Sequence, residues 1–135
     1  MPFAKLDESV YVAGQIAPAD VAEAARLGIV SIINNRPDGE QPGQPAGAEI
    51  EAAAKAAGLA YVHIPVAGGI SAEQVDAMAE ALAMRPALAF CRSGTRSAWL
   101  WALARAREGA DSEALISRAA AAGYDLGPLR PHLVR

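Results

Sequence analysis

Two kinds of apolar spacing take turns along this chain. Short apolar and β-branched runs that read as strands fall at SVYVAG (9–14), IVSIINN (29–35), AYVHIPV (60–66) and ALAF (87–90), of which the nearly continuous IVSIINN and ALAF read as buried. Between and after them lie stretches with apolar residues three and four apart. These are PADVAEAARLG (18–28), AEIEAAAKAAG (48–58), AEQVDAMAEALAM (72–84), SAWLWALARARE (97–108) and DSEALISRAAAAG (111–123), and the spacing predicts a helix at each. Pro18 or Ala19 sits near the first helix start, Ser71 with Gln74 has the capping-box pattern, and Asp111 is a suitable N-cap. Gly28, Gly58 and Gly109 stand where three helices should stop. RPDGEQPGQPAG (36–47) is a Pro/Gly-rich loop, and the tail YDLGPLRPHLVR (124–135) is broken by Pro128 and Pro131. Strands alternating with helices predict right-handed crossovers and a parallel sheet covered on both faces. With no repeat, linker or low-complexity stretch, residues 1–135 read as a single α/β domain.

Composition narrows the function classes. The chain is 53% hydrophobic and 20% charged, as a globular protein should be. Its net charge of −3 speaks against nucleic acid, which is held by basic surfaces. No run approaches the length of a membrane span. The N-terminal MPFAKLDESVYV lacks a basic-then-apolar leader, so the expected location is the cytoplasm. One cysteine allows neither an internal disulfide nor a multi-thiolate metal site. His63 and His132 are far apart and without clustered carboxylates, so no metal and no cofactor is expected.

That lone cysteine has an unusual setting. Cys91 ends the ALAF strand and opens a polar turn, Arg92-Ser93-Gly94-Thr95-Arg96-Ser97, which runs straight into a helix. Ligands of parallel sheets bind at the carboxyl edge of the strands. The first turn of the helix has no internal acceptors for its N–H groups, so the amides of residues 92–97 form an anion cradle at the positive end of the helix dipole. Gly94 permits the backbone the tight turn, and Arg96 can fold its planar fork over two oxygens at once. Arg92 is expected to face solvent. The same donors stabilise a thiolate, which makes Cys91 a candidate nucleophile. The hydroxyl of Ser97, or of Thr95, is placed to hydrogen-bond the sulfur.

VAGQI (12–16), INNRPDGEQPGQP (33–45), GLAYVHIPV (58–66), FCRSGTRSAWLWALAR (90–105) and AAGYDL (121–126) together resemble the DUF442 family, the phosphatase-like domain of β-lactamase hydrolase-like proteins. The resemblance implies a four- or five-stranded, mainly parallel sheet flanked by helices, as in cysteine-dependent dual-specificity phosphatases. It also implies a possible association with a metallo-β-lactamase-like persulfide dioxygenase, to which some members are fused. Some members are described as sulfurtransferases and others as phosphatases.

Three departures from the phosphatase pattern carry chemical weight. Only four residues separate Cys91 from Arg96 where those enzymes have five, Phe90 stands where a His usually precedes the nucleophile, and PVAGGIS (65–71) holds no carboxylate where a general-acid Asp is expected. A shorter loop makes a smaller cradle, and a missing acid forfeits a contribution of about 10²–10⁴-fold. The six-residue Cys-x-x-Gly-x-Arg loop is similar to that of rhodaneses, whose cysteine carries sulfur as a persulfide. Sulfur transfer from a thiosulfate-like or persulfide donor is therefore the leading expectation, with Cys91, Arg96 and Ser97 as its catalytic residues. A phosphatase acting on phosphate esters through phosphocysteine is the alternative, and a non-catalytic anion-binding module the third.

Other residues share that sheet edge. Asp38 could replace the missing acid and Arg36 could bind a second anion, although Asp38 fits a turn and Arg36 a pairing with Glu40 at least as well. His63 is expected to be a satisfied face residue, Trp99 and Trp101 to serve packing, and Tyr124 could line the pocket mouth.

Overall fold

The computed structural model describes residues 3–133. Ala87–Phe90 forms the central strand of a five-stranded sheet, and the reason is visible in its composition: four apolar residues, all buried. The strands are β1 (Ala4–Asp7), β2 (Val10–Ala13), β3 (Ser31–Asn34), β4 (Ala60–His63) and β5 (Ala87–Phe90), in the order β1-β2-β5-β3-β4. β2, β5, β3 and β4 run parallel, and β1 pairs antiparallel with β2 at the edge. The helices are α1 (Pro18–Arg26), α2 (Gly47–Ala56), α3 (Ala72–Ala81), α4 (Thr95–Arg107), α5 (Ser112–Ala121) and the single turn α6 (Arg130–Leu133).

Strand alternation sorts the core into two layers. Leu88 and Phe90 point to one face, where Ile32 joins Val21 and Ala24 of α1 and Ile50 and Ala54 of α2. Ala87 and Ala89 point to the other, where Val12 and Ile33 meet Met78 of α3 and Leu100, Trp101 and Ala104 of α4. The small alanines let α4 lie close on the sheet. It is buried nearly all round, from Ser97 to Ala106, because α3 and α5 pack against it from outside.

The expected helices are all present. The Ser71–Gln74 capping box forms, and Asp111 accepts the Ala114 N–H at 3.0 Å. Two elements depart from expectation. β1 follows no apolar run: Lys5 and Asp7 alternate with buried Leu6, and Asp7 accepts from the Trp101 indole at 2.7 Å and the Arg105 guanidinium at 3.1 Å. The prolines of the tail do not prevent helix. Pro128 lies in a 3₁₀ turn (Gly127–Leu129), and Pro131 in the first turn of α6, where its missing N–H forfeits no helical bond.

With β5 in the centre, the loop after it is flanked by the loops after β2 and β3. The Gln15 N–H donates to the Arg92 carbonyl at 3.1 Å on one side, and the Asn35 N–H donates to the Phe90 carbonyl at 2.8 Å on the other. The strand order thus delivers three loops to one rim.

Candidate active site

Cys91 leaves β5 and the chain turns at once into α4. The turn depends on Gly94, the N-cap of α4, whose φ of +96° is in the left-handed region. The first helical bond runs from the Ala98 N–H to the Gly94 carbonyl at 2.9 Å, so the earlier amides of the turn have no helical acceptor. One of the loop's donors acts on the sulfur directly: the Gly94 N–H points at Cys91 Sγ, 3.1 Å away. The sulfur itself is fully buried. The short turn thus brings the Gly94 amide directly onto the sulfur.

Arg96 folds back over this turn. Its Nη1 and Nη2 grip both oxygens of Glu40 at 2.7 and 2.9 Å, and Nη1 also donates to the Val66 carbonyl at 2.7 Å. Glu40 is held in turn by Arg36 Nε at 2.9 Å. Hydrogen bonding to Arg96, helped by Arg36, lowers the Glu40 carboxyl to about 2. The pairing with Glu40, and to a smaller degree the nearby Cys91 sulfur, raises Arg96 above the ordinary guanidinium range. Glu40 is thus ionised at neutral pH and has no proton to give.

A second, buried set of bonds ties the loop to the end of β3. The Ser97 hydroxyl donates to Asn35 Oδ1 at 2.8 Å, and the Asn35 amide donates to the Ile64 carbonyl at 3.0 Å. This corrects the expectation that Ser97 bonds the sulfur: its proton goes to Asn35. The Thr95 hydroxyl instead accepts from the Ser93 hydroxyl at 3.1 Å.

Tyr124, from the segment after α5, covers the turn. Its hydroxyl donates to the Ser93 carbonyl at 3.2 Å and lies against Gly94, where an added Cβ would stand 2.7 Å from the Tyr124 Cζ and nearer still to the hydroxyl. Burial, with a smaller contribution from Cys91, holds the phenol above its usual range, so it stays protonated as this bond requires.

The family described as the beta-lactamase hydrolase-like protein, phosphatase-like domain matches residues 2–110. The chain belongs to it. A β-lactamase hydrolase-like protein from Xylella fastidiosa is 39% identical over 131 residues, which are 94% of this chain and 30% of that protein. The chain thus spans about 30% of that curated relative's length. A Neisseria meningitidis protein solved as a candidate phosphatase is 39% identical and superposes with a TM-score of 0.86, over 98% of this chain and 96% of that one. Kinase associated phosphatase, crystallised with its catalytic-site cysteine substituted by serine, shares the fold at 15% identity, with a TM-score of 0.76 over 98% of this chain and 90% of that one. The fold of this phosphatase-like domain is that of the tyrosine and dual-specificity phosphatases.

In this phosphatase-like domain, the rim gathers Cys91, Arg96 and Glu40, and separates out the remaining candidates. Arg92 is exposed, as expected, and Ser93 is exposed beside it. Arg36 is almost fully buried, with Nε on Glu40 and Nη1 and Nη2 on Gln15 and Gln41 at 3.0 Å each. It is a strut for the 36–47 loop, occupied by side-chain oxygens. Asp38 accepts the Gly47 N–H at 2.7 Å and so serves the start of α2; its position as a substitute acid is corrected accordingly. His63 Nε2 lies 2.9 Å from the Arg36 carbonyl, a satisfied face residue. Among the described residues, no group of three or more His, Cys, Asp or Glu side chains converges as metal ligands, and no helix is long and apolar enough to cross a membrane.

Asn35 and Glu40 went unrecognised as partners of the loop. The signal for Asn35 was a pair of polar amides, Asn34 and Asn35, closing a buried strand. For Glu40 it was a second carboxylate, after Asp38, in a loop bordering the arginine-bearing cysteine turn.

Proposed function

We propose that Cys91 is the nucleophile of a group-transfer reaction on a small oxyanion, and that the group it accepts is sulfane sulfur. The observation that carries this reading is the state of the carboxylates at the rim. Glu40 is ionised between two arginines and Asp38 is bound to the α2 backbone, so neither supplies a proton to a departing alkoxide. Sulfur transfer needs none. The Cys91 thiolate attacks the outer sulfur of thiosulfate, a new S–S bond forms, and the old S–S bond breaks with its electron pair leaving on sulfite. The Gly94 amide and Arg96 stabilise charge on the sulfur and on the departing anion. An acceptor thiolate then attacks the persulfide, takes the outer sulfur and returns Cys91 as thiolate. A metallo-β-lactamase-like persulfide dioxygenase is a fitting consumer of that product. Because Cys91 is enclosed, turnover requires the 92–94 turn and Tyr124 to move apart.

Thiosulfate should add one sulfur atom to the intact wild-type mass and none to Cys91→Ser, with thiocyanate released on adding cyanide. Absence of both adduct and thiocyanate would overturn sulfur transfer. Arg96→Lys, which loses the two-pronged grip, should slow adduct formation by about 10²-fold.

Phosphatase action is the second reading, favoured by the family and the fold. It predicts a phosphocysteine at Cys91 and hydrolysis of aryl phosphates, whose leaving groups need little protonation. Turnover of aryl phosphates without any sulfur adduct would select it.

A further inference from the structure

A cavity of about 400 Å³ opens beside Arg96, within the range of about 300–1,000 Å³ usual for small-molecule sites. Neither chemical reading uses it. Its floor is one stripe of α4: Thr95, Trp99 and Leu103, spaced four apart, so they project from the same face. Ile70, Val75, Pro128 and Leu129 add to its apolar lining. Its polar lining residues are Thr95 and Arg96, at the start of α4 beside the cysteine loop, with Ser71 and His132. Among the described residues, no Asp or Glu lines it. An apolar trough is thus bordered by the Arg96 guanidinium, which is ion-paired with Glu40, so an anionic head there would compete with or displace that carboxylate.

We propose that this cavity receives the apolar portion of the substrate, which is an organic molecule with a compact anionic head and a hydrocarbon or aromatic tail. The head lies at Arg96 and the Cys91 turn, and the tail lies along Trp99 and Leu103. This deepens the sulfur-transfer reading and rests on it in naming the head: an organic thiosulfonate. The Cys91 thiolate attacks its terminal sulfur, the S–S bond to the sulfonyl group breaks, and the electron pair leaves on an organic sulfinate whose tail stays in the trough. Charge and atoms balance without an added proton or oxidant.

The test uses unreactive alkanesulfonates on full-length Cys91→Ser, so binding is read without chemistry. Affinity should rise from methanesulfonate through butanesulfonate to octanesulfonate by about three- to fourfold per methylene until the trough is filled. Tryptophan emission should change with it. The chain has two tryptophans, and Trp101 is fully buried in the core, so the change reports Trp99. Gly69 lines the trough from an exposed loop, has no atoms near its missing side chain and does not need a left-handed backbone. Gly69→Phe should therefore fold, obstruct the trough, and weaken octanesulfonate at least about tenfold while sparing methanesulfonate. Equal affinity for the short and long sulfonates would overturn the proposal. So would octanesulfonate binding that ignores Gly69→Phe. The thiosulfate adduct on wild-type protein involves no tail, so it judges the sulfur-transfer reading separately.

Discussion

The Ser97 hydroxyl gives its proton to Asn35 inside the protein, so its removal acts on the fold before it acts on the sulfur. Ser97→Ala leaves Asn35 Oδ1 buried without its donor, which should cost about 1–3 kcal/mol in urea unfolding. The rate of Cys91 alkylation should be unchanged; a large fall would restore a direct bond between Ser97 and the sulfur. Glu40 offers a test through acidity. Its carboxyl is depressed from 4.5 to about 2 in the folded protein, so its contribution is complete above pH 4.5 and disappears as pH falls toward about 2. Urea midpoints of wild type should decline across that window, and those of Glu40→Gln should decline less. At this scale the sequence displayed the chemical actors and hid their pairings. Cys91, Gly94 and Arg96 are legible as a motif because they are adjacent. The bonds from Arg96 to Glu40 and from Ser97 to Asn35 join residues 56 and 62 positions apart, a separation on which local spacing is silent.

At the scale of the element, the start of α4 does two tasks through one residue. Gly94 supplies a left-handed N-cap, and its lack of a side chain leaves room for Tyr124. Gly94→Ala should be destabilising on both grounds. Pairing it with Tyr124→Ala should recover the steric part and leave the backbone part, a coupling of about 0.5–3 kcal/mol in a double-mutant cycle. Strict additivity would mean that the tyrosine does not press on this turn. The parallel strands were legible as short apolar runs and the helices by the period of their buried face. β1 was not, since a four-residue edge strand with Lys5 and Asp7 on its outer positions carries too little pattern. Its anchor is tertiary: Asp7 held by Trp101 and Arg105 of α4.

For the whole molecule, alternation of strands and helices foretold the layers, but not the strand order that puts β5 between β2 and β3. That order is set by long-range burial, and it decides which loops border the cysteine. It also divides the molecule unevenly. The family match ends at residue 110, yet Tyr124, Leu129 and His132, which cover the turn or line the trough, come later. The cysteine turn thus lies within the matched stretch, and part of its cover lies beyond it. Complete enclosure of Cys91 then has a consequence for survival under oxidative stress. Peroxide converts accessible thiolates to sulfenic acid and, irreversibly, to sulfonic acid. A fully buried sulfur, beneath a turn that Tyr124 holds at the Ser93 carbonyl, should resist that fate. Tyr124→Ala should lose its thiol to peroxide faster than wild type, as followed by mass spectrometry; an unchanged rate would mean that the tyrosine does not shield the turn.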